Sequence, residues 1–362
     1  MAEKKLGVLI HGAGWVSTQH IQAFGNNPHA EVVAISSRKL DSARARAAEA
    51  GLDVACYDDY EAALAHEGVD IVAVCTPQQI HAANTIAAAK AGKHIVIEKP
   101  AANSLDELRA MRQAVDAAGV KTIVSFVLRW NPLFQTLKHL IADDLIGDVF
   151  SVETSYQHYC GSWWTGWDDA RRKDTGVSAF LVGGCHAIDA LRWFAGRGEF
   201  EAAKAVEVFA YAGGRRKGTT REYNHITNRW ADAAPMEYDG LEIALVRFDN
   251  GVLGKVAVNF ECVEPYAFPL EVFGDAGTIR NNRLWSHKFA GQRDWVELPA
   301  ICPDSADVVH HPFQGQIDHF VECIRGDTES HCNLADAIQT HEIVFAALKC
   351  YETNRPVPLP LT

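Results

Sequence analysis

Glu98-Lys99-Pro100 is the segment of this sequence best equipped for chemistry. It closes the apolar run His94-Ile95-Val96-Ile97, which predicts a buried strand, and it lies downstream of a glycine turn at Gly12-Ala13-Gly14. A lysine at the end of a parallel strand points into the crevice where open α/β sheets bind ligands. An amine held there beside a redox cofactor can take or return the proton of a substrate hydroxyl. Taken without its surroundings, the same tripeptide is a surface lysine ahead of a turn proline.

The surroundings support the chemical reading. His11-Gly12-Ala13-Gly14-Trp15-Val16-Ser17 has the form Gly-x-Gly-x-x-Ser between a strand pattern and a helix pattern. Gly12 allows the tight turn, Gly14 lets the backbone approach a pyrophosphate, and Ser17 is small enough for helix–strand packing. Trp15 and Val16 open a helix whose N–H groups and dipole favour phosphate, so Gly12, Gly14, Trp15 and Val16 are candidate cofactor contacts. The second strand ends in Ser36-Ser37-Arg38, where NAD-binding sheets usually carry a carboxylate. Two hydroxyls and a guanidinium suit a 2′-phosphate, which favours NADP over NAD; the other reading leaves Arg38 solvated and NAD held through serine and water.

Strand and helix signals alternate over residues 1–126: strands at Leu6–Ile10, Glu31–Ile35, Val69–Val74, Ile95–Ile97 and Lys121–Phe126, with helical stretches between them. Asp58 or Asp59 is placed to cap one helix, and Ser104-Leu105-Asp106-Glu107 reads as a capping box for another. The alternation predicts a Rossmann-type α/β domain with a parallel sheet. Residues 127–362 read differently. Strand signals at Val149–Tyr159, Val206–Tyr211, Leu241–Phe248, Val252–Phe260 and Leu270–Phe273 follow one another, with a hairpin signal at Asp249-Asn250-Gly251. They predict an α+β domain built on a largely antiparallel sheet, with helices near His186–Phe194, Phe313–Ile324 and Leu334–Tyr351.

A net charge of −12 argues against nucleic acid or an anionic membrane as the main partner. The short basic runs Arg171-Arg172-Lys173 and Arg215-Arg216-Lys217 read as solvated surface. Nine scattered cysteines without a Cys-x-x-Cys pair fit a reducing compartment. With neither a secretory signal nor an apolar run of spanning length in the sequence, the expected location is the cytoplasm.

These residues resemble one family, the Gfo/Idh/MocA oxidoreductases. The matching segments are Gly12-Ala13-Gly14, Cys75-Thr76-Pro77 with His81, Ala91-Gly92-Lys93-His94 running into Glu98-Lys99-Pro100, Arg129-Trp130-Asn131-Pro132, Gly184-Cys185-His186-Ala187-Ile188-Asp189 and the closing Leu334-Ala335-Asp336-Ala337. The resemblance implies a Rossmann domain followed by a large, open, mostly antiparallel sheet that mediates homodimers or homotetramers and lines the substrate site. It implies NAD(P)-dependent oxidation or reduction of a secondary alcohol in a sugar, cyclitol or related polyol, with Lys99 orienting substrate and moving the proton. It also implies a cis Lys99–Pro100 bond, and it adds Thr76, Pro77, His81, Glu98 and Arg129 to the cofactor candidates. Arg129 has the alternative of a structural salt bridge. The family's Asp-x-x-x-His pair is incomplete here: His186 matches the histidine, but Val182 stands where the aspartate should be. Lys99 then carries the proton alone or with His186, or a carboxylate such as Asp168, Asp169 or Asp174 joins from the preceding loop. Asp189 reads as structural.

On the substrate side, Tyr156, His158, Trp163, Trp164 and Trp167 with Asp168 offer ring faces and polar edges for a pyranose, or pack the sheet or an interface. No histidine spacing demands a metal, and His310-His311 reads as a loop pair. The expected activity is that of a sugar or polyol dehydrogenase. One alternative retains the cofactor and oxidises transiently during sugar elimination, hydrolysis or epimerisation; another, of a different class, is a non-catalytic dinucleotide-binding sensor.

Overall fold

The computed structural model describes residues 4–224, 227–299 and 311–362, which form two compact units. The first comprises residues 1–127 and 312–337, and the second residues 128–311 and 338–362.

In the first unit, β1 (Leu6–His11), β2 (Ala30–Ser36), β3 (Ala55–Tyr57), β4 (Val69–Val74), β5 (His94–Ile97) and β6 (Thr122–Val124) form a parallel sheet in the order β3-β2-β1-β4-β5-β6. Both faces are covered, so the central strands are apolar throughout: Val8, Leu9, Ile10, Ile71, Val72, Ile95, Val96 and Ile97 have no exposed surface. Helices α1 (Ser17–Asn26), α2 (Leu40–Glu49), α3 (Tyr60–Leu64), α4 (His81–Lys90) and α5 (Leu105–Ala118) make the crossovers. Asp59, not Asp58, caps α3 by accepting the Ala62 N–H at 3.1 Å. Ser104 accepts the Glu107 N–H at 3.2 Å, while Glu107 reaches back to the Asn103 N–H at 2.9 Å. The capping box is therefore shifted by one donor.

In the second unit, α6 (Pro132–Ala142) starts at Asn131, whose side chain accepts the Leu133 and Phe134 N–H groups, with proline in the first turn. The strands are β7 (Val149–Gln157), β8 (Ala205–Gly213), β9 (Arg221–Asn224), β10 (Arg229–Asp232), β11 (Leu241–Phe248), β12 (Leu253–Asn259), β13 (Leu270–Gly274), β14 (Gly277–Arg280), β15 (Arg283–Ser286), β16 (Val296–Glu297) and β17 (Val357–Pro358). All but the β9–β10 hairpin join one sheet, ordered β16-β15-β14-β13-β7-β12-β11-β8-β17. It is antiparallel except at β7–β12, which run the same way. After the short α7 (Trp167–Ala170), a π-helical turn over Phe180–Gly184 leads into α8 (Cys185–Ala195).

Every residue of α8 is buried. The helix packs on the β7–β12 face, where the Thr154 hydroxyl donates to the Ala187 carbonyl at 2.9 Å. Charged side chains serve both ends of this helical stretch. Glu242 accepts the N–H groups of Ala179 and Phe180, and burial raises its pKa to about 7. Lys138 donates to the carbonyls of Trp193 and Gly196; burial first, and Arg129 next, lower its pKa to about 7. An acid at the N-terminal end and an amine at the C-terminal end match the helix dipole.

Two expectations are corrected. Residues 312–337, assigned with all of 127–362 to the second domain, belong to the first unit. The helix Phe313–Arg325 lies on α1, with Asn27 donating to Asp318 and Gln314 to the Ala23 carbonyl, and the Val124 N–H donates to Cys332. Arg216 is also not solvated. Its guanidinium lies 4.2 Å above the Tyr159 ring and donates to the carbonyls of Cys160 and Phe260. The eight described cysteines are free thiols, and no described helix is long and apolar enough to cross a membrane.

The seat of α8 depends on Gly183 and Gly184. A methyl at Gly184 would stand 2.9 Å from Cβ of Val258 and 2.7 Å from the Phe180 ring. Gly184→Ala is expected to lower stability by about 1–3 kcal/mol, read from the denaturant midpoint. Gly25→Ala in α1, where the added methyl meets nothing within 4 Å, is the matched control and should not destabilise.

Candidate active site

The strands of the first unit all end along one edge, and the predicted cofactor residues that belong to this unit follow the strand ends. After β1, Gly12 has φ +112°, and a Cβ on it would stand 2.4 Å from the Cys75 carbonyl oxygen, so both backbone conformation and space require glycine. A Cβ on Gly14, by contrast, would meet no atom within 4 Å. A turn with that room, leading into a ten-residue helix, can receive a pyrophosphate. Ser17 is fully buried and its hydroxyl donates to the Gly14 carbonyl at 2.6 Å, while Trp15 is exposed. At the end of β2 the two serines part company. Ser36 is buried with its hydroxyl 2.8 Å from His11 Nδ1, so it is engaged internally; Ser37 is half-buried and Arg38 exposed.

Lys99 is half-buried just beyond β5, and the Lys99–Pro100 peptide is cis. Its neighbours are strongly held. Glu98 is buried, with Oε1 2.7 Å from Nε2 of the fully buried His20 and Oε2 accepting the Lys99 N–H at 3.2 Å. Burial pushes the Glu98 pKa up, but the His20 hydrogen bond and charge, the Lys99 ammonium and Ser125 outweigh it, and the net displacement is downward. Glu98 is therefore an ionised carboxylate turned into the protein. His81, a cofactor candidate by resemblance, lies between two main-chain oxygens: Nδ1 is 2.8 Å from that of Pro100 and Nε2 2.7 Å from that of Thr76. Asn84 donates to the Thr76 hydroxyl at 3.0 Å, and Pro77 is exposed.

In the second unit, Arg129 is buried and forms a bidentate pair with Asp189, at 2.7 Å from Nε to Oδ2 and 2.6 Å from Nη2 to Oδ1. Thr340 donates to the same Asp189 Oδ1 at 3.1 Å. Arg129 thus follows the salt-bridge alternative. His186 opens α8 within a group of aromatic rings: Phe268 at 5.9 Å and His311 at 6.3 Å between centroids. Tyr266 stacks on His158 at 4.2 Å and on His311 at 5.9 Å, and the Tyr156 hydroxyl is 3.2 Å from His158 Nδ1. Burial raises the pKa of both Tyr156 and Tyr266, so both phenols stay protonated. Trp163 packs 5.3 Å from His158. Trp164 is half-buried, whereas Trp167 is buried, with the Arg216 guanidinium 5.6 Å above its ring.

Val182 is buried and supplies no acid. The loop carboxylates do not replace it: Asp168 and Asp174 are exposed and paired with Arg171 and Arg172. Asp169 is exposed as well. Sequence reasoning did not single out His20, Asn84, Tyr266 or Phe268, because they come from elements whose pattern speaks only of packing. His310 lies outside the described residues. Among the described residues no group of three His, Cys, Asp or Glu side chains is arranged to hold a metal ion.

A family model described as the oxidoreductase family with an NAD-binding Rossmann fold, Gfo/Idh/MocA, matches residues 6–126, and one described as the Gfo/Idh/MocA C-terminal domain matches residues 134–280. The chain is 33% identical to a 4-carboxy-2-hydroxymuconate-6-semialdehyde dehydrogenase of Sphingobium sp., over 93% of this chain and 96% of that one. It is 25% identical to an NAD(+)-dependent scyllo-inositol 2-dehydrogenase of Bacillus subtilis, over 99% and 97%. An oxidoreductase from Agrobacterium radiobacter, solved with NAD+, L-tartaric acid and magnesium, shares the fold with a TM-score of 0.81 over 98% of each chain at 19% identity.

The edge of the first unit carries a pH signature. His11 stacks on Tyr60 at 3.7 Å, and burial lowers its pKa from 6.5 to about 4. The unfolded chain takes up this proton below about pH 6.5 and the folded chain only near pH 4, so stability is full above 6.5 and declines as pH falls through the interval. The loss from this group reaches about 3 kcal/mol. Denaturant midpoints measured across the interval should show a shallower pH slope for His11→Phe, which keeps a ring against Tyr60, than for the parent.

Proposed function

The chain belongs to the Gfo/Idh/MocA oxidoreductase family, and from that premise we propose that it transfers a hydride between a nicotinamide dinucleotide and a secondary alcohol or ketone of a sugar, cyclitol or related polyol. The observation that carries this reading is Lys99 just beyond β5, on the same sheet edge as the Gly12–Gly14 turn after β1. The dinucleotide, when bound, supplies the hydride donor or acceptor. Gly12, Gly14, Trp15 and Val16 would hold its phosphates, and Ser37 and Arg38 its ribose edge. Arg38, where a carboxylate would select NAD, favours NADP. The hydroxyl proton is assigned to Lys99 and a hydrogen bond to substrate oxygen to His186. Tyr156, His158, Trp163 and Trp164 offer ring faces to the carbon skeleton.

The scyllo-inositol dehydrogenase relative supports a cyclic polyol as substrate class. The semialdehyde dehydrogenase relative extends the panel to be tested to aldehydes. Val182 supports a second reading, in which the cofactor is retained and the substrate is oxidised only transiently. A second copy of the chain is the expected partner. The sheet face opposite α8 exposes Tyr211, Ile243, Leu245 and Leu253 between the Glu153–Lys255 and Glu207–Arg247 ion pairs.

Sugars, cyclitols and their keto and aldehyde relatives, assayed with NAD and NADP side by side, should give a change in reduced-nicotinamide absorbance with at least one. Cofactor retained through purification, with turnover but no net absorbance change, would favour the second reading. Lys99→Ala should lower kcat by about 10²–10⁴-fold while dinucleotide binding persists; unchanged turnover would remove Lys99 from the chemistry. In sedimentation, Leu245→Lys combined with Leu253→Lys should convert an oligomer to monomer.

A further inference from the structure

We infer that His20 and Glu98 form a positioning pair that sets the direction of Lys99, so that Glu98 serves the lysine from inside the fold rather than contacting the cofactor. The inference rests on the assignment of proton transfer to Lys99. His20 lies on the inward side of α1 with no exposed surface, and its Nε2 is 2.7 Å from Glu98 Oε1. Its other ring nitrogen, Nδ1, is buried and has no hydrogen-bond partner among the described residues. The ionised Glu98 carboxylate can only accept, so Nε2 carries the proton that is donated across this contact. The Phe313 ring meets His20 edge-on at 5.1 Å and closes the remaining side with apolar surface.

A charge-assisted hydrogen bond in a dry setting is strong and narrow in geometry. The second oxygen of the same carboxylate accepts the Lys99 backbone N–H at 3.2 Å. The carboxylate therefore fixes the peptide plane entering Lys99, and with it the direction in which the lysine Cα–Cβ bond leaves the chain. Beyond the proline, the His81 ring lies between the Pro100 carbonyl oxygen, 2.8 Å from Nδ1, and that of Thr76 past the end of β4, 2.7 Å from Nε2. Glu98, itself held by His20 of α1, thus fixes the peptide before Lys99, and His81 of α4 lies against the carbonyl of the residue after it. The glutamate has little left to offer a ligand, because both its oxygens are engaged and it is 6% exposed. A proton-transfer group displaced by about 1 Å can lose about 100-fold in rate, which is the margin such a clamp protects.

The test uses the intact protein with its best substrate from the panel above, in four forms: parent, His20→Leu, His20→Gln and Lys99→Ala. Leucine fills the space but donates nothing, whereas glutamine presents an amide N–H at about the reach of Nε2. His20→Leu is expected to lower kcat about 10- to 100-fold, with the dinucleotide dissociation constant, read by reduced-nicotinamide fluorescence, within about threefold of the parent. His20→Gln should recover most of that loss. If His20→Leu keeps its kcat, or if glutamine fails to recover activity while melting temperature and cofactor binding match the parent, the positioning role is overturned. If Lys99→Ala itself retains full turnover, the functional assignment fails first, and a His20 effect would then have another origin.

Discussion

A parallel sheet has one edge at which all its strands end, and the chemistry offered by the first unit follows from that constraint. β1, β2, β4 and β5 each pass through an apolar interior and emerge at the same border. There the chain must turn into a helix, and its backbone groups are not yet committed to a ladder. The turn after β1 supplies Gly12 and Gly14, the end of β2 Ser37 and Arg38, the end of β4 Thr76, and the end of β5 Lys99. Residues far apart in sequence are thereby gathered without any long loop.

The same constraint creates a problem that the fold solves locally. An ionised carboxylate one residue past the end of β5 is buried, a position that would ordinarily neutralise it. His20, the Lys99 N–H and Ser125 supply enough hydrogen bonding to keep it charged. The arrangement ties α1 to the end of β5, so the helix of the glycine turn and the lysine segment are parts of one hydrogen-bonded assembly.

The second unit relies on polar contacts of another kind. α8 is buried on every side, which leaves its termini and its charged residues without water. Glu242 serves the start of the helical turn that leads into it and Lys138 its far end, and Arg129 and Asp189 neutralise each other with Thr340 added to the carboxylate. Removing one member of such a pair leaves an uncompensated buried charge, so these residues are constrained together. The scaffold holds His186 at the start of the helix among the rings of Phe268 and His311, while Tyr156 and His158 belong to the adjoining strand and loop.

Local patterns in the sequence were enough for the parallel sheet, the glycine turn, the hairpin at Asp249-Asn250-Gly251 and the lysine at a strand end. Each of these is governed by residues next to one another, through hydrophobic period, turn chemistry and backbone freedom. Partnerships across the chain were not legible in the same way. Nothing near His20 says that it meets Glu98, nothing near Arg129 chooses between a ligand and Asp189, and Arg216 reads as a surface cation although its guanidinium lies on Tyr159. The helix Phe313–Arg325 shows its apolar stripe plainly but not that α1 is what it covers. A side chain's burial and partner are set by which distant elements pack against it; tertiary structure alone decided that Ser36 faces His11, that Glu98 turns inward and that Arg129 pairs with Asp189.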